Sequence, residues 1–287
     1  MVKKIAILGA AGMLGKAFAQ RLEPGKFHVT ALAKNQLDVT DAIAVADALR
    51  SLKPDLVINV SAFMNADRCE KFPEKAFLVN ALGARNVSNI CEEIKAAHLW
   101  FSSDFVFDGY TNKPYSEHDG TNPLSVYGMT KLNGETAIKN HCSRHFIIRT
   151  SSLYGVQGSN FIERMLERVQ QGLNVEVVDD LFISPTYVED LVRISIDIWE
   201  QGLSYGTYHA ANEGVTSWHG LLEEVFRFLD LKQRIEPISI SQRVNDLNLA
   251  RRPIYSALSS KKLSEAGIAN ASWQESVGRY LIARNYR

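Results

Sequence analysis

The fold is decided by one stretch near the start of the chain, Lys4-Ile5-Ala6-Ile7-Leu8-Gly9-Ala10-Ala11-Gly12-Met13-Leu14-Gly15. Its first five residues form a short apolar run, which is typical of a strand buried on both faces. Residues 16–22 then show helical spacing. A glycine-rich turn between a strand and a helix lets the backbone approach a pyrophosphate, and the helix N-terminus stabilises that anion. Because the glycine spacing is G-x-x-G-x-x-G and not G-x-G-x-x-G, a tight turn without a ligand stays open as an alternative.

Strands and helices alternate along the first half of the chain. Apolar runs that predict further buried strands lie at residues 27–32, 55–60, 98–101 and 145–150, with helical spacing between them. The alternation predicts an α/β fold, a doubly wound parallel sheet that is Rossmann-like, with a smaller mixed C-terminal substrate lobe.

The pattern becomes less regular after Thr150. We expect residues 1–150 and 184–212 to form the dinucleotide-binding domain, because a run at 206–210 predicts a strand that returns to the sheet. Residues 151–183 and 213–287 are then expected to form the substrate-binding lobe.

Composition limits the class of partner. The chain has 287 residues, and Lys+Arg and Asp+Glu each total 32, so neither a nucleic acid nor an anionic membrane is expected as a partner. Cys69, Cys91 and Cys142 show no metal-ligand spacing, so we expect no metal and reduced thiols in a cytoplasmic protein. No apolar run reaches the ~18 residues of a membrane span, and residues 1–4 do not resemble a signal peptide. A homodimer is left open.

Tyr127 and Lys131 are the candidate catalytic pair. Four residues apart in a helix, they lie on one face and one turn apart. A phenol has a pKa near ~10, and an adjacent ammonium group favours its ionised form. Such a pair can give a proton to an oxygen while a cofactor delivers a hydride. A surface Tyr and Lys on an ordinary helix is the alternative.

Small and hydroxyl-bearing residues follow two of the predicted strands. Ser61-Ala62-Phe63 follows the third strand, and Ser102-Ser103-Asp104 follows the fourth. Because ligands bind at the carboxyl ends of parallel strands, we expect both segments to meet the glycine-rich turn. The Ser103 hydroxyl is then placed to bind a substrate oxygen beside Tyr127, although serine also ends strands for local reasons.

Two basic positions suggest phosphate contacts. Lys34 follows the second strand, where an NAD-specific site would place an acid, so it is predicted to meet a 2′-phosphate. Arg251-Arg252 can clamp a diphosphate bidentately. Solvated surface side chains are the alternative at both positions.

Several motifs together carry a resemblance to a known family. They are Val57-Ile58-Asn59, Asn65-Ala66-Asp67-Arg68-Cys69-Glu70, Val79-Asn80-Ala81-Leu82-Gly83, Ser102-Ser103-Asp104-Phe105-Val106-Phe107-Asp108-Gly109, Pro123-Leu124-Ser125-Val126-Tyr127-Gly128 and Arg252-Pro253. The chain resembles the extended short-chain dehydrogenase/reductase family over nearly its whole length, and within it the dTDP-4-dehydrorhamnose reductases.

The resemblance implies NADPH or NADH as cofactor and a nucleotide sugar as substrate. It implies Ser103, Tyr127 and Lys131 as catalytic residues, and Asp104 as a substrate contact. The cofactor contacts that the resemblance implies are Gly12, Met13, Leu14, Asp38, Val39, Ala62, Phe63, Asn65, Phe101, Tyr127 and Lys131. The glycine-rich turn adds Gly9 and Gly15 to the expected cofactor contacts, and the position after the second strand adds Lys34.

Two departures from the family pattern lie at the expected sugar site. The usual Arg-Thr-Ser-Trp is Arg149-Thr150-Ser151-Ser152 here, so an aromatic side chain is missing at Ser152. The usual Asp-Gln-(Ile/Phe)-Gly is Asp180-Leu181-Phe182-Ile183. We expect a changed pocket in which Phe182 and Ile183 fill the space, with Ser152 and Arg252 among the substrate contacts.

The expected reaction is reduction of the 4-keto group of a nucleotide-linked 6-deoxysugar, dTDP-4-dehydrorhamnose to dTDP-rhamnose. Another nucleotide-sugar reductase or epimerase of the same family is an alternative. A dehydratase is disfavoured, since similar dehydratases carry an Asp-Glu pair and Phe105 follows Asp104 here. A cofactor-binding regulatory subunit resembling that of methionine adenosyltransferase is the alternative from a different class.

Overall fold

The computed structural model describes residues 2–22, 25–243 and 249–286. The strands are β1 Lys3–Leu8, β2 Phe27–Leu32, β3 Leu56–Asn59, β4 Ala97–Ser103, β5 His145–Thr150, β6 Leu153–Tyr154, β7 Val175–Val178, β8 Phe182–Ile183, β9 Thr186–Tyr187, β10 Gly206–His209, β11 Thr216–Ser217 and β12 Ile235–Ile238. The α-helices are α1 Met13–Arg21, α2 Ala42–Leu52, α3 Ala66–Lys71, α4 Pro73–Phe77, α5 Gly83–Ile94, α6 Val126–His141, α7 Phe161–Gln170, α8 Val188–Glu200, α9 Trp218–Leu229, α10 Ile240–Arg243, α11 Lys261–Glu265 and α12 Trp273–Ala283. None of the helices in these ranges is long and apolar enough to cross a membrane.

A six-stranded parallel sheet forms the centre of the molecule, with strand order β10-β5-β4-β3-β1-β2. The strand order reverses at β1, which pairs with β2 on one side and β3 on the other. Ligands of open α/β sheets bind at the carboxyl ends of the strands beside such a reversal. The predicted doubly wound parallel sheet is confirmed.

Both faces of the sheet are buried, which explains the continuous apolar runs in its strands. Ile5 and Ile7 pack on one face with α1 and α8, and Ala6 and Leu8 pack on the other with α2 and α5. Side chains alternate between faces along a strand. Every residue of β3 is buried for the same reason.

Residues 73–94 form one continuous helical segment after β3, in agreement with the long helix that the spacing of residues 73–97 predicts. It contains α4, a π-helical turn at Leu78–Leu82 and α5. Lys95 ends α5 in the left-handed region at φ 61°. The chain can therefore turn at once into β4, which begins at Ala97.

The C-terminal part adds a second apolar cluster beside the sheet. It is built around β7, which pairs in parallel with β12, and around α7, α9 and α12. Strand β10 returns to the edge of the main sheet, and α8 packs in the main core. Leu263 and Ile268 also pack in the main core. The exact division at residues 151–183 and 213–287 stays a prediction.

Candidate active site

Tyr127 and Lys131 lie one turn apart near the start of α6. The helix begins at Ser125, whose Oγ accepts a hydrogen bond from the Gly128 N–H at 3.2 Å. A Cβ at Gly128 would overlap the carbonyl oxygen of Phe105, so glycine is required for this close packing. The Tyr127 ring meets the Phe105 ring edge-on, with ring centroids 5.5 Å apart. Packing against the chain after β4 therefore holds Tyr127 in place.

Lys131 is buried, with only 2% of its surface exposed. Its Nζ lies 4.0 Å from the centre of the Trp100 ring, a cation–π contact. Burial lowers the pKa of Lys131 to about 7, while the carboxylate of Glu135 acts to raise it. The side chain is thus poised to change charge near neutral pH.

Glu135 is a buried carboxylate that belongs to none of the motifs described above. It accepts hydrogen bonds from Arg149 Nε at 2.8 Å, Arg149 Nη2 at 2.7 Å and Ser102 Oγ at 2.6 Å. Burial alone would raise the pKa of Glu135, but the Arg149 bonds bring it below its ordinary value. Its position four residues after Lys131 was the signal available in the sequence.

Ser103 ends β4 beside Tyr127. Its Oγ accepts the N–H of Phe105 at 3.2 Å, donates to Asp104 Oδ1 at 2.9 Å, and lies near the Tyr127 hydroxyl. Burial raises the pKa of Tyr127, while the nearby Ser103 hydroxyl acts to lower it. The structure therefore brings Ser103, Tyr127 and Lys131 together.

Asp104 has a buried carboxylate surrounded by serine hydroxyls. Besides Ser103, it accepts from Ser151 Oγ at 2.7 Å and from Ser256 Oγ at 2.6 Å, both at Oδ2. Burial raises the pKa of Asp104, and the three serine bonds act to lower it. The predicted substrate contact thus joins β4, the chain after β5 and the C-terminal part.

The glycine-rich turn lies at the same edge of the sheet. Gly9 has φ +86°, a conformation that favours glycine, and its N–H donates to Leu32 O at 2.9 Å. Gly12 is the N-cap of α1. A Cβ at Gly15 would lie only 2.7 Å from the Gly9 carbonyl oxygen, so the helix can pack this tightly only with glycine.

Two neighbouring cavities lie at this end of the sheet. The sheet-edge cavity has a volume of about 410 Å³ and is lined by residues 12–15, 59–62, 101–105, Tyr127 and Lys131, among others. The lobe cavity has a volume of about 440 Å³ and is lined chiefly by the C-terminal part. Five residues line both: Phe105, Ser152, Phe161, Arg164 and Trp218.

Six predicted cofactor contacts do not line the sheet-edge cavity: Gly9, Lys34, Asp38, Val39, Phe63 and Asn65. Lys34 Nζ lies 3.5 Å from Asp38 Oδ2 in an exposed ion pair after β2. Val39 is buried and binds the Asn86 side chain through its carbonyl oxygen. In the chain after β3, the Phe63 backbone is held by Asn80, and Asn65 caps α3 by accepting the Arg68 N–H at 2.8 Å.

Arg252 lines the lobe cavity, where it pairs with the carboxylate of Asp67, 185 positions earlier in the sequence. Its Nη2 lies 3.0 Å from Asp67 Oδ2 and 3.1 Å from Oδ1. Asp67 Oδ1 also accepts the Ala250 N–H at 3.0 Å. Within the described ranges, no group of three or more His, Cys, Asp or Glu side chains is arranged to hold a metal ion.

The space beside Ser152 is not filled as the sequence predicted. Ile183 lines the lobe cavity as expected, but Phe182 is 39% exposed and its ring lies against Tyr255, with centroids 5.9 Å apart. Successive residues of β8 point to opposite faces, so only one could enter the cavity. Instead Trp218 lies at the junction of the two cavities, together with Phe161 and Arg164. No local spacing in the sequence connects these three residues to Ser152.

Residues 3–285 match the RmlD substrate binding domain family. The chain belongs to this family. One relative of this RmlD chain is the spore coat polysaccharide biosynthesis protein SpsK of Bacillus subtilis, 34% identical over 282 residues, with 98% of both chains covered. Another is the dTDP-4-dehydrorhamnose reductase of Streptomyces griseus, 36% identical over 271 residues, with 91% of this chain and 87% of that protein covered.

A solved structure extends the comparison to the whole RmlD fold. The dTDP-4-dehydrorhamnose reductase of Bacillus anthracis, crystallised in complex with NADP, matches with a TM-score of 0.94 at 32% identity. The match covers 99% of this chain and 100% of that one. The likeness therefore includes the C-terminal part as well as the parallel sheet.

Proposed function

We propose that this RmlD-family chain is an oxidoreductase that uses NADPH, or NADH, to reduce the 4-keto group of a nucleotide-linked 6-deoxysugar. The substrate we propose is dTDP-4-dehydrorhamnose, and the product is dTDP-rhamnose. One observation carries the proposal: Ser103, Tyr127 and Lys131 line the sheet-edge cavity, and the Tyr127 ring packs against Phe105, which lines both cavities. A cofactor in the first cavity and a sugar in the second would meet at these side chains.

The residues of the sheet-edge cavity suit a dinucleotide. Gly12 has no side chain to cap α1, the first turn carries no acid, and a Cβ at Gly12 would meet only the Gly9 carbonyl oxygen, at 3.6 Å. The N–H groups at this helix end are therefore open to an anion. Met13 and Leu14 would lie beside the phosphates, and Lys131 would hold the nicotinamide ribose. The bound cofactor supplies the hydride.

Tyr127 is the proton donor of this proposal. Because burial raises the pKa of its hydroxyl, Tyr127 keeps its proton at neutral pH until the oxygen of the reduced carbonyl accepts it. The Lys131 cation then stabilises the phenolate that remains. Burial alone disfavours the charged form of Lys131. Anionic groups of the bound complex favour the ammonium form and would keep Lys131 charged.

Ser103 positions the substrate oxygen in this proposal. Its Oγ lies near the Tyr127 hydroxyl, and both residues line the sheet-edge cavity, so an oxygen that accepts from Tyr127 would lie within reach of Ser103 as well. Phe105 occupies the place after Asp104 where a dehydratase would need an acid. The second acid of the Asp-Glu pair of similar dehydratases is therefore missing here, which favours reduction over dehydration.

The lobe cavity supports a substrate with a diphosphate. Arg164 and Arg252 both line it, and among the described residues Arg164 has no carboxylate within ion-pair distance. Arginine matches phosphate oxygens bidentately. We propose Arg252 as the diphosphate contact and Arg164 as an additional cation near it.

The test is NADPH oxidation by the purified chain with dTDP-4-dehydrorhamnose, followed by the loss of nicotinamide absorbance, with the product identified by chromatography and NMR. We expect stoichiometric formation of dTDP-rhamnose. A product that is an isomer of the substrate, without NADPH consumption, would favour the epimerase. Tight NADPH binding without turnover on any of a panel of nucleotide 4-ketosugars would favour the regulatory subunit.

A further inference from the structure

An aromatic pair lies at the junction of the two cavities. Trp218 is the first residue of α9 and Phe161 the first residue of α7, and their ring centroids are 4.6 Å apart at an interplanar angle of 64°. Both rings are half-buried and line both cavities. Each therefore packs in the C-terminal cluster on one side and borders the junction on the other.

Ser152 leaves room at this junction. It has φ 46°, in the left-handed region, and carries only a hydroxymethyl group. Ser152 lines both cavities, as Trp218 does. A large side chain from α9 thus borders a space that the chain after β5 leaves open.

The first turn of α7 is fixed by buried hydrogen bonds. The Asn160 Oδ1 accepts the Glu163 N–H at 3.2 Å, and its Nδ2 donates to Tyr280 OH at 3.0 Å. Glu163 Oε2 accepts from Arg284 Nη2 at 2.7 Å and from Tyr286 OH at 3.0 Å. Phe161 therefore begins a helix that is held at its N-terminus.

The first turn of α9 is fixed in a similar way. Ser217 Oγ accepts the Gly220 N–H at 3.0 Å and donates to Asp179 Oδ1 at 2.5 Å. Trp218 is the next residue. Phe161 and Trp218 are therefore both first residues of helices that are held at their N-termini. The aromatic pair is already in place before a ligand binds, so little conformational entropy is lost at these side chains on binding.

We propose that Trp218, supported by Phe161, forms the apolar wall of the sugar site and is a specificity-determining residue for 6-deoxysugars. The C6 methyl group and the C–H face of such a sugar are apolar, and aromatic rings line sites for ligands of this kind. The reacting carbon must lie beside Tyr127, and the Phe105 ring connects Tyr127 to the same junction. The inference rests on the proposed function, because it identifies the sugar end of the same site.

The experiment is calorimetric titration of the NADP⁺-saturated protein with dTDP-rhamnose and, separately, with dTDP. Trp218→Ala should weaken binding of dTDP-rhamnose about tenfold, as a central aromatic contact does. Its affinity for dTDP should change less than about twofold, because dTDP lacks the sugar. Trp218→Phe, which keeps an aromatic face, should recover most of the dTDP-rhamnose affinity.

Phe182→Ala is the matched control, because it removes an aromatic ring from the same lobe that faces Tyr255 and not the junction. It should bind both ligands as the wild type does. If Trp218→Ala lost equal affinity for dTDP and dTDP-rhamnose, or lost affinity for neither, the inference would be overturned. The proposed function would still be supported in that case by NADPH oxidation by the wild type. A wild-type protein that binds neither ligand would overturn both.

Discussion

The sheet-edge cavity is bordered mainly by residues that directly follow three neighbouring parallel strands, whereas the lobe cavity is bordered by residues from distant parts of the chain. Residues 12–15, 59–62 and 101–105 reach the first cavity because β1, β3 and β4 pair in register. The second cavity brings Asp67, Phe161, Trp218 and Arg252 together. The regular sheet thus positions the candidate catalytic residues, and the irregular segments form the cavity proposed for the substrate.

This comparison predicts that substitutions at the two cavities change different constants. The sheet-edge cavity should control turnover and cofactor affinity. The lobe cavity should control the KM for the nucleotide sugar. Three substitutions at the cavities test this separation, beginning with the largest expected effect, and a fourth tests the cofactor contact expected at Lys34, which does not line the sheet-edge cavity.

Tyr127→Phe should lower kcat by ~10²–10⁴-fold, the usual contribution of a positioned acid. NADPH affinity should stay within a few-fold of wild type, because the ring still packs against Phe105. Steady-state kinetics at saturating substrate and a fluorescence titration with NADPH measure the two effects. Activity close to wild type would remove Tyr127 from the mechanism.

Arg252→Gln should raise the KM for the nucleotide sugar about 10–100-fold, because a charge-assisted contact to the diphosphate is lost. The kcat and the NADPH affinity should hardly change. Arg251→Gln is the matched control, since it removes the neighbouring guanidinium, which is exposed and does not line the lobe cavity. Equal effects of the two substitutions would mean that general positive charge, and not the placement of Arg252, matters.

Ser152→Trp should raise the KM for the sugar about tenfold, because a second indole would compete with Trp218 for the junction and position 152 is left-handed. In the Trp218→Ala background, Ser152→Trp should raise this KM by a smaller factor. The double-mutant cycle measures this coupling. Additive effects would show that the two positions do not share space, and a rate gain in the single variant would show an incomplete pocket.

Lys34→Glu should weaken NADPH binding about fivefold and leave NADH binding nearly unchanged, since Lys34 is exposed and its ion pair with Asp38 is a weak surface contact. Isothermal titration with NADPH and with NADH gives the ratio of the two dissociation constants. Lys113→Glu, at another exposed lysine to which no cofactor contact is assigned, controls for the change in net charge. A wild-type preference for NADH would contradict the assignment of Lys34 to a 2′-phosphate.

The regular half of the molecule could be predicted because its signals are local. Apolar runs gave the strands of the sheet, and helical spacing put Tyr127 and Lys131 on one face of α6. Ser103 was found because strand ends of a parallel sheet share an edge. Each inference needed only a few neighbouring residues and one general rule.

The lobe cavity could not be predicted in the same way, since its residues meet only after the chain folds. Trp218 follows Ser152 by 66 positions, and no periodicity relates them. The pairing of Asp67 with Arg252 crosses 185 residues. Phe182 was misplaced for a simpler reason: two adjacent strand residues cannot both face one cavity.

The hydrogen bond from Ser256 to Asp104 has a consequence for cooperativity. It ties a C-terminal segment to the strand that carries Ser103, inside the protein. If that segment opened alone, a buried carboxylate would lose a partner, at a cost of about 1–3 kcal/mol. We therefore expect the amides on either side of Ser256 to exchange their hydrogens in the same cooperative unit as those of β4. The two regions that form the two cavities would then unfold as one.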